Sequence, residues 1–74
     1  MASYLVSGAA SGIGRAVAEL AIEAGHEVTC LDRDPAVMTL FDGSEEARPL
    51  QADITRPEEC SRAVATAIET FGKL

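Results

Sequence analysis

Gly8, Gly12 and Gly14 stand in the run Ser7-Gly8-Ala9-Ala10-Ser11-Gly12-Ile13-Gly14, directly after the apolar triplet Tyr4-Leu5-Val6. Glycines at such a strand-to-helix turn let the backbone bend sharply and let a pyrophosphate approach closely. The amides at the following helix N-terminus then meet that anion with the positive end of the helix dipole. A second apolar run, Val28-Thr29-Cys30-Leu31, ends on Asp32, 18 residues beyond Gly14. That is close to the roughly 20 residues separating the glycines of a dinucleotide fold from its ribose-binding acid. A carboxylate there accepts hydrogen bonds from both adenosine ribose hydroxyls and repels a 2′-phosphate, which predicts NAD over NADP.

Each of these residues also has a plainer use. The three glycines can serve a tight turn with close helix–strand packing alone. Ser11 either bonds a phosphate or ribose oxygen or is an ordinary loop serine. Ile13 is expected to offer its backbone amide while its side chain joins the core. Asp32 could cap a strand end or pair with Arg15 or Arg33. The register of glycines and acid within one strand–helix–strand unit favours the dinucleotide reading.

The elements that must position these groups alternate along the chain. The spacing predicts a first helix over about Gly12 to Ala24, with Ile13, Val17, Leu20, Ala21 and Ala24 on one face and Gly25 as left-handed cap. A second strand is expected from about Glu27 to Leu31. Asp34-Pro35 reads as N-cap and first-turn proline of a short helix through Leu40. The stretch from Asp42 to Glu46 is a polar loop. Arg48 to Ala52 reads as a third strand whose Pro49 suits a sheet edge.

Thr55 with Glu58 three residues on, and Pro57 between them, spells a capping box for a last helix running to Phe71. Its expected apolar stripe is Cys60, Ala63, Val64, Ala67, Ile68 and Phe71, and Gly72 ends it. Glu58 and Glu59 read as solvated charge at the helix start, and His26 as a surface residue. The order β-α-β-α-β-α implies parallel strands joined by right-handed crossovers, the N-terminal half of a doubly wound sheet.

Bulk composition narrows the partners. A chain of 74 residues with 47% hydrophobic content has room for one small, ordered domain. A formal charge of −6 disfavours nucleic acid or an anionic membrane, while local backbone dipoles can still hold a dinucleotide's phosphates. No stretch approaches the ~20 apolar residues of a membrane span, and the early apolar run lacks a basic flank and is broken by glycines. Cys30 and Cys60 are too few for a disulfide framework or zinc site. They read as reduced structural thiols of a cytoplasmic protein. No metal is expected.

Taken together, these features resemble the short-chain dehydrogenase/reductase family. Ser7 to Gly14 is similar to that family's Thr-Gly-x-x-x-Gly-x-Gly fingerprint, with serine replacing threonine. Asp32 matches the acid of NAD-preferring members. Asp53-Ile54-Thr55 resembles the segment after the third strand where an acid meets the adenine amino group; the residue-level alternative for Asp53 is a local helix cap. Phe71-Gly72-Lys73-Leu74 resembles the end of the helix before the family's Asn-Asn-Ala-Gly strand. The resemblance spans essentially the whole chain and implies a cofactor site at Gly8, Ser11, Gly12, Ile13, Gly14, Asp32, Arg33, Asp53 and Ile54.

Two departures qualify what the resemblance implies. Arg33 follows the second strand, where a basic residue can face a 2′-phosphate in some members. Against that, Asp32 precedes it and position 11, often Arg or Lys in NADP-preferring members, is serine. Arg33 is therefore expected over the adenine face or in solvent. The family's fourth strand, its serine, its Tyr-x-x-x-Lys pair and its later asparagine have no counterpart here. Tyr4, the only tyrosine, has Gly8 four positions on. The expected function is the NAD-binding half of an oxidoreductase that moves hydride between nicotinamide and an alcohol or carbonyl carbon, inactive as 74 residues alone. The first strand's inner edge is expected to need the remainder of such a fold or an oligomeric partner.

Two other classes compete. One is a stand-alone, non-catalytic nucleotide-binding or assembly module, whose mark would be a stable isolated chain. The other is a methyltransferase cofactor domain. That class carries an acid before a Gly-x-Gly-x-Gly loop, whereas here Ser7 precedes Gly-x-x-x-Gly-x-Gly.

Overall fold

Val28, Thr29, Cys30 and Leu31 are all buried, as an uninterrupted apolar run must be when both faces of its sheet are covered. In the computed structural model, which describes residues 2–72, this run is the middle of the central strand. The elements follow the order β1 (Ser3–Ser7), α1 (Gly12–Glu23), β2 (Glu27–Asp32), α2 (Val37–Leu40), β3 (Ala47–Gln51) and α3 (Pro57–Phe71). The three strands form one parallel sheet in the order β1-β2-β3, with Val6 opposite Cys30 and Leu31 opposite Leu50. This is the α/β, Rossmann-like half-fold that the alternation of elements predicts.

Side chains alternate across the sheet and feed two cores. Val28 and Cys30 pack with Ala18 of α1, Val37 of α2 and Phe41. Leu31 packs with Ala52 and with Ala63 of α3, joined by Leu5 and Leu50. Helices therefore lie on both faces. β3 is an outer strand, which suits Pro49 because it has no N–H to offer a further neighbour. Gly25 and Gly72, with φ of 83° and 75°, end α1 and α3 as expected. Lys73 and Leu74 lie outside the described residues.

Several details differ from the sequence reading. The face of α1 that meets the sheet is Ala18 with Ala21 and Ile22, rotated by roughly a third of a turn from the expected stripe. Ile13 is 85% exposed, and Val17, Leu20 and Tyr4 are exposed as well. Ile13 thus does not join the core. The small side chains win that position because the close approach at Gly14 and Ala18 sets the helix against β1 and β2. On α3 the same split appears: Ala63 and Ala67 are buried, whereas Val64 and Ile68 stay exposed.

His26 is not a free surface residue either. Its Nδ1 accepts the Ala2 N–H at 3.1 Å, and its ring meets Tyr4 edge-on at 5.3 Å. The short helix starts at Val37 rather than at Pro35. Asp34 still caps the turn that leads into it, its Oδ1 accepting the Ala36 N–H at 2.9 Å.

Candidate functional site

The glycine loop leaves β1 at the carboxyl end of the sheet, where ligands bind in open α/β folds. Gly8 and Gly12 take φ of 67° and 61°, the left-handed region that a side chain disfavours. Gly14 is constrained differently: a Cβ there would lie 2.2 Å from the Gly8 carbonyl oxygen. The first two glycines shape the turn, and the third lets α1 press onto it.

Ser11 occupies the N-cap position of α1 in extended conformation and makes no side-chain cap bond. A serine in that position ordinarily occupies an amide of the first turn. Here those first-turn amides, which have no intrahelical acceptor, are left open to an anion.

Asp32 joins this loop to the end of β2. Its Oδ2 accepts the Ala10 N–H at 2.9 Å, and its Oδ1 accepts the Asp34 N–H at 2.9 Å. A further backbone bond runs from Ala9 N–H to the Leu31 carbonyl at 2.9 Å. The Asp34 bond first, and the Ala10 bond next, hold the Asp32 carboxyl below the usual carboxylate range. An ionised carboxylate offers about four acceptor sites, so two remain for a ligand's hydroxyls. Arg15 does not compete for them; it pairs with Glu19 one helical turn on at 3.6 Å.

An open cavity of about 270 Å³ lies between this loop and the connection from β3 to α3. Gly8, Asp32 and Arg33 form one wall; Asp53, Ile54 and Thr55 form the other, with Leu31 and Ala52 between. The volume is near the lower end for small-molecule sites. Six of the nine sequence-predicted site residues meet differently from the remaining three. Gly8, Asp32, Arg33, Asp53 and Ile54 line the cavity, and Gly14 packs beneath the loop against Gly8. Ser11, Gly12 and Ile13 sit outside it, exposed at the start of α1. The arrangement separates a pocket able to take a nucleoside from a helix end able to take its phosphates.

The second wall is built by side chains. Asp53 Oδ1 accepts both the Thr55 hydroxyl at 2.6 Å and the Thr55 N–H at 3.0 Å. The hydroxyl bond first, then the backbone bond, lowers the Asp53 carboxyl from its usual range. Thr55 is therefore not the N-cap that its spacing to Glu58 suggests. Arg56 occupies that position, without a side-chain cap bond. The reach-back acid is Glu59, whose Oε1 accepts the Asp53 N–H at 2.7 Å. The residue-level alternative for Asp53, a local turn former, is thus realised through Oδ1. Its Oδ2 faces Arg56 at 3.9 Å across exposed surface.

Glu59 and Cys60 are the residues that sequence reasoning passed over, one as solvated charge and the other as core. Cys60 is half-buried and its thiol donates to the Ile54 carbonyl at 3.1 Å. An Asp-x-Thr followed by an acid six residues after the aspartate was the available signal. Among the described residues, no group of His, Cys, Asp or Glu is disposed to hold a metal.

The family model for short chain dehydrogenases matches residues 3–74. The chain belongs to the short-chain dehydrogenase family. A relative at 40% identity is the 1,6-dihydroxycyclohexa-2,4-diene-1-carboxylate dehydrogenase of Pseudomonas putida, aligned over 95% of this chain and 27% of its own length. The NAD-dependent glycerol dehydrogenase of Listeria innocua is 39% identical, over 95% of this chain and 28% of that protein. Among solved structures, the 3-ketoacyl-(acyl-carrier-protein) reductase of Brucella melitensis complexed with NADH superposes with a TM-score of 0.91 at 30% identity. That match covers 97% of this chain and 30% of the reductase. The chain thus spans under a third of the length of these proteins. Its three parallel strands and flanking helices are the α/β, Rossmann-like arrangement of those structures. No helix among the described residues is long and apolar enough to cross a membrane.

Proposed function

We propose that this chain binds the adenosine and pyrophosphate half of NAD, in preference to NADP, for an oxidoreductase acting at an alcohol or carbonyl carbon. The observation that carries the reading is the junction of the glycine loop with Asp32: a carboxylate held ionised by two backbone N–H groups beside a left-handed Gly8. The Gly8–Gly14 turn and the open first-turn amides of α1, with Ser11 and the Ile13 backbone, would hold the pyrophosphate. Asp32 would take the ribose hydroxyls, Arg33 the adenine face, and Asp53 with Ile54 the adenine edge. The bound nicotinamide would supply hydride chemistry, which these 74 residues do not themselves complete.

A 2′-phosphate would sit against the Asp32 carboxylate, and like charges at contact distance repel in a partly desolvated site. The NAD-dependent Listeria relative and the NADH-bound reductase support the same direction. Proton transfer during hydride exchange is assigned to residues of a longer polypeptide. Either the rest of such a fold or an oligomeric partner would cover the free edge of β1 and the exposed Tyr4, Ile13, Val17 and Leu20. The compartment of the reading is the cytoplasm.

Calorimetric titration of NAD, NADP and ADP-ribose tests this. NAD and ADP-ribose are expected to bind at least about tenfold more tightly than NADP, a difference of about 1.4 kcal/mol. The Asp32→Ser variant should narrow the gap. Equal affinities for NAD and NADP in the unaltered chain would overturn the assignment of Asp32.

A further inference from the structure

Three residues at the start of α3 each grip a different backbone group of the segment that ends β3 and forms one cavity wall. Glu59 Oε1 accepts the Asp53 N–H at 2.7 Å. The Cys60 thiol donates to the Ile54 carbonyl at 3.1 Å. Arg62 Nη2 donates to the Gln51 carbonyl at 3.2 Å and also faces Glu59 Oε1 at 3.7 Å. Of the three, the Glu59 bond is the shortest and its acceptor is charged, the class of hydrogen bond that resists displacement most. Glu59 is also only 28% exposed, against 50% for Arg62.

Asp53 is thereby held from two directions. Its own carboxylate is turned onto Thr55, and its amide is turned onto Glu59. With both ends of the residue committed, the direction of its other oxygen, Oδ2, which faces the exposed Arg56 at 3.9 Å, follows from the position of α3. We infer that Glu59 is a positioning residue that sets the adenine-edge specificity of the cavity through the Asp53 amide. The inference rests on the proposed reading of the cavity as an adenosine site. Glu59 touches no ligand in this scheme; it fixes where Asp53 can accept a hydrogen bond. Its consequence is discrimination, by Asp53, between a base that donates an exocyclic N–H and one that presents a carbonyl in its place.

The test is a titration of the full chain with ADP-ribose and with its hypoxanthine counterpart, in which that amino group is a carbonyl. The unaltered chain is expected to prefer the adenine form by about tenfold, the usual worth of one such bond. Glu59→Ala should erase most of that preference. Glu59→Gln, whose amide oxygen can still accept the Asp53 N–H, should restore it. Glu59→Asp keeps a first-turn acid and its favourable dipole interaction but falls one methylene short. It supplies the same reading if the alanine variant does not fold, as judged by its circular dichroism melt. Preference unchanged in folded Glu59→Ala or Glu59→Asp, with the unaltered chain discriminating, would overturn the positioning role and leave the adenosine site standing. No discrimination in the unaltered chain would overturn the adenine-edge reading itself, and the role of Glu59 with it.

Discussion

The two walls of the cavity are held by different physics. The glycine-loop wall is fixed by backbone conformation: two left-handed glycines and one glycine whose missing Cβ lets α1 touch the Gly8 carbonyl. The Asp53–Thr55 wall is fixed by side chains that reach backbone groups, from Glu59 and Cys60 on the helix and from Asp53 within the turn. A backbone-built wall tolerates almost no change at its glycines, because no other residue type has both the dihedral freedom and the absent atom. A side-chain-built wall should yield gradually, one contact at a time.

Glycine substitutions give that contrast its largest expected effect. Gly14→Ala would place a methyl 2.2 Å from a backbone oxygen that cannot swing aside. It should destabilise by about 3 kcal/mol or more, a large share of a small domain's total. Gly12→Ala meets open space and suffers only its left-handed φ of 61°, which costs about 1–2 kcal/mol. Urea denaturation of both variants checks the ranking. If Gly12→Ala proved the more damaging, close approach would not be what holds this wall.

Acid titration probes both walls at once. The Asp32 and Asp53 carboxyls are each held below their usual range in the folded chain. Between the folded and unfolded values, near 3.9 for a free aspartate, the folded chain binds fewer protons than the unfolded one. Their stabilisation is therefore complete above that unfolded value and is lost as pH falls through the folded one. The urea midpoint should drop as the pH falls towards and below that unfolded value. Asp32→Asn and Asp53→Asn should each flatten the drop, and a profile unchanged in both would remove these carboxylates from either wall.

Cys60→Ala should have the smallest effect, about 1 kcal/mol or less, since a thiol is a weak donor. The loss should appear as faster amide exchange confined to the Asp53–Thr55 segment. Faster exchange in the glycine loop would mean that the two walls are not independent. Cys30 offers an internal reference for thiol chemistry. Burial pushes its thiol up to about 11, so a disulfide reagent at pH 8 should modify Cys60 first and Cys30 only on unfolding.

What could be read in advance follows the same division. The left-handed turn at Gly8 and Gly12, the close approach at Gly14 and the place of Asp32 at the end of β2 were legible because they depend on residue type and spacing along the chain, and the strand–helix alternation carried the parallel sheet with them. The buried run of β2 and the edge position of Pro49 were legible for the same local reason. The apolar stripe of α1 was misread. Of the expected stripe Ile13, Val17, Leu20, Ala21 and Ala24, Ala21 joins the core beside Ala18 and Ile22, whereas Ile13, Val17 and Leu20 lie exposed. Periodicity identifies an apolar face and cannot say which of two faces meets the sheet.

The second wall shows the limit most directly. Thr55 and Glu58 have the spacing of a capping box, yet Arg56 is the N-cap and Glu59 is the acid that reaches back. Either acid is compatible with the sequence pattern. The choice depended on a one-residue difference in where α3 begins once Ala63 is seated under Leu31 and Ala67 is buried. By itself, the sequence determined the alternation of elements, the conformations open only to glycine and the charge at the end of β2. These are properties of single residues and their near neighbours. Tertiary packing decided which helix face is buried, that Asp32 is tied to the Ala10 amide, and that Glu59 holds Asp53. Those depend on groups 6 to 22 residues apart meeting within 3 Å, and only the docking of helices on the sheet brings them there.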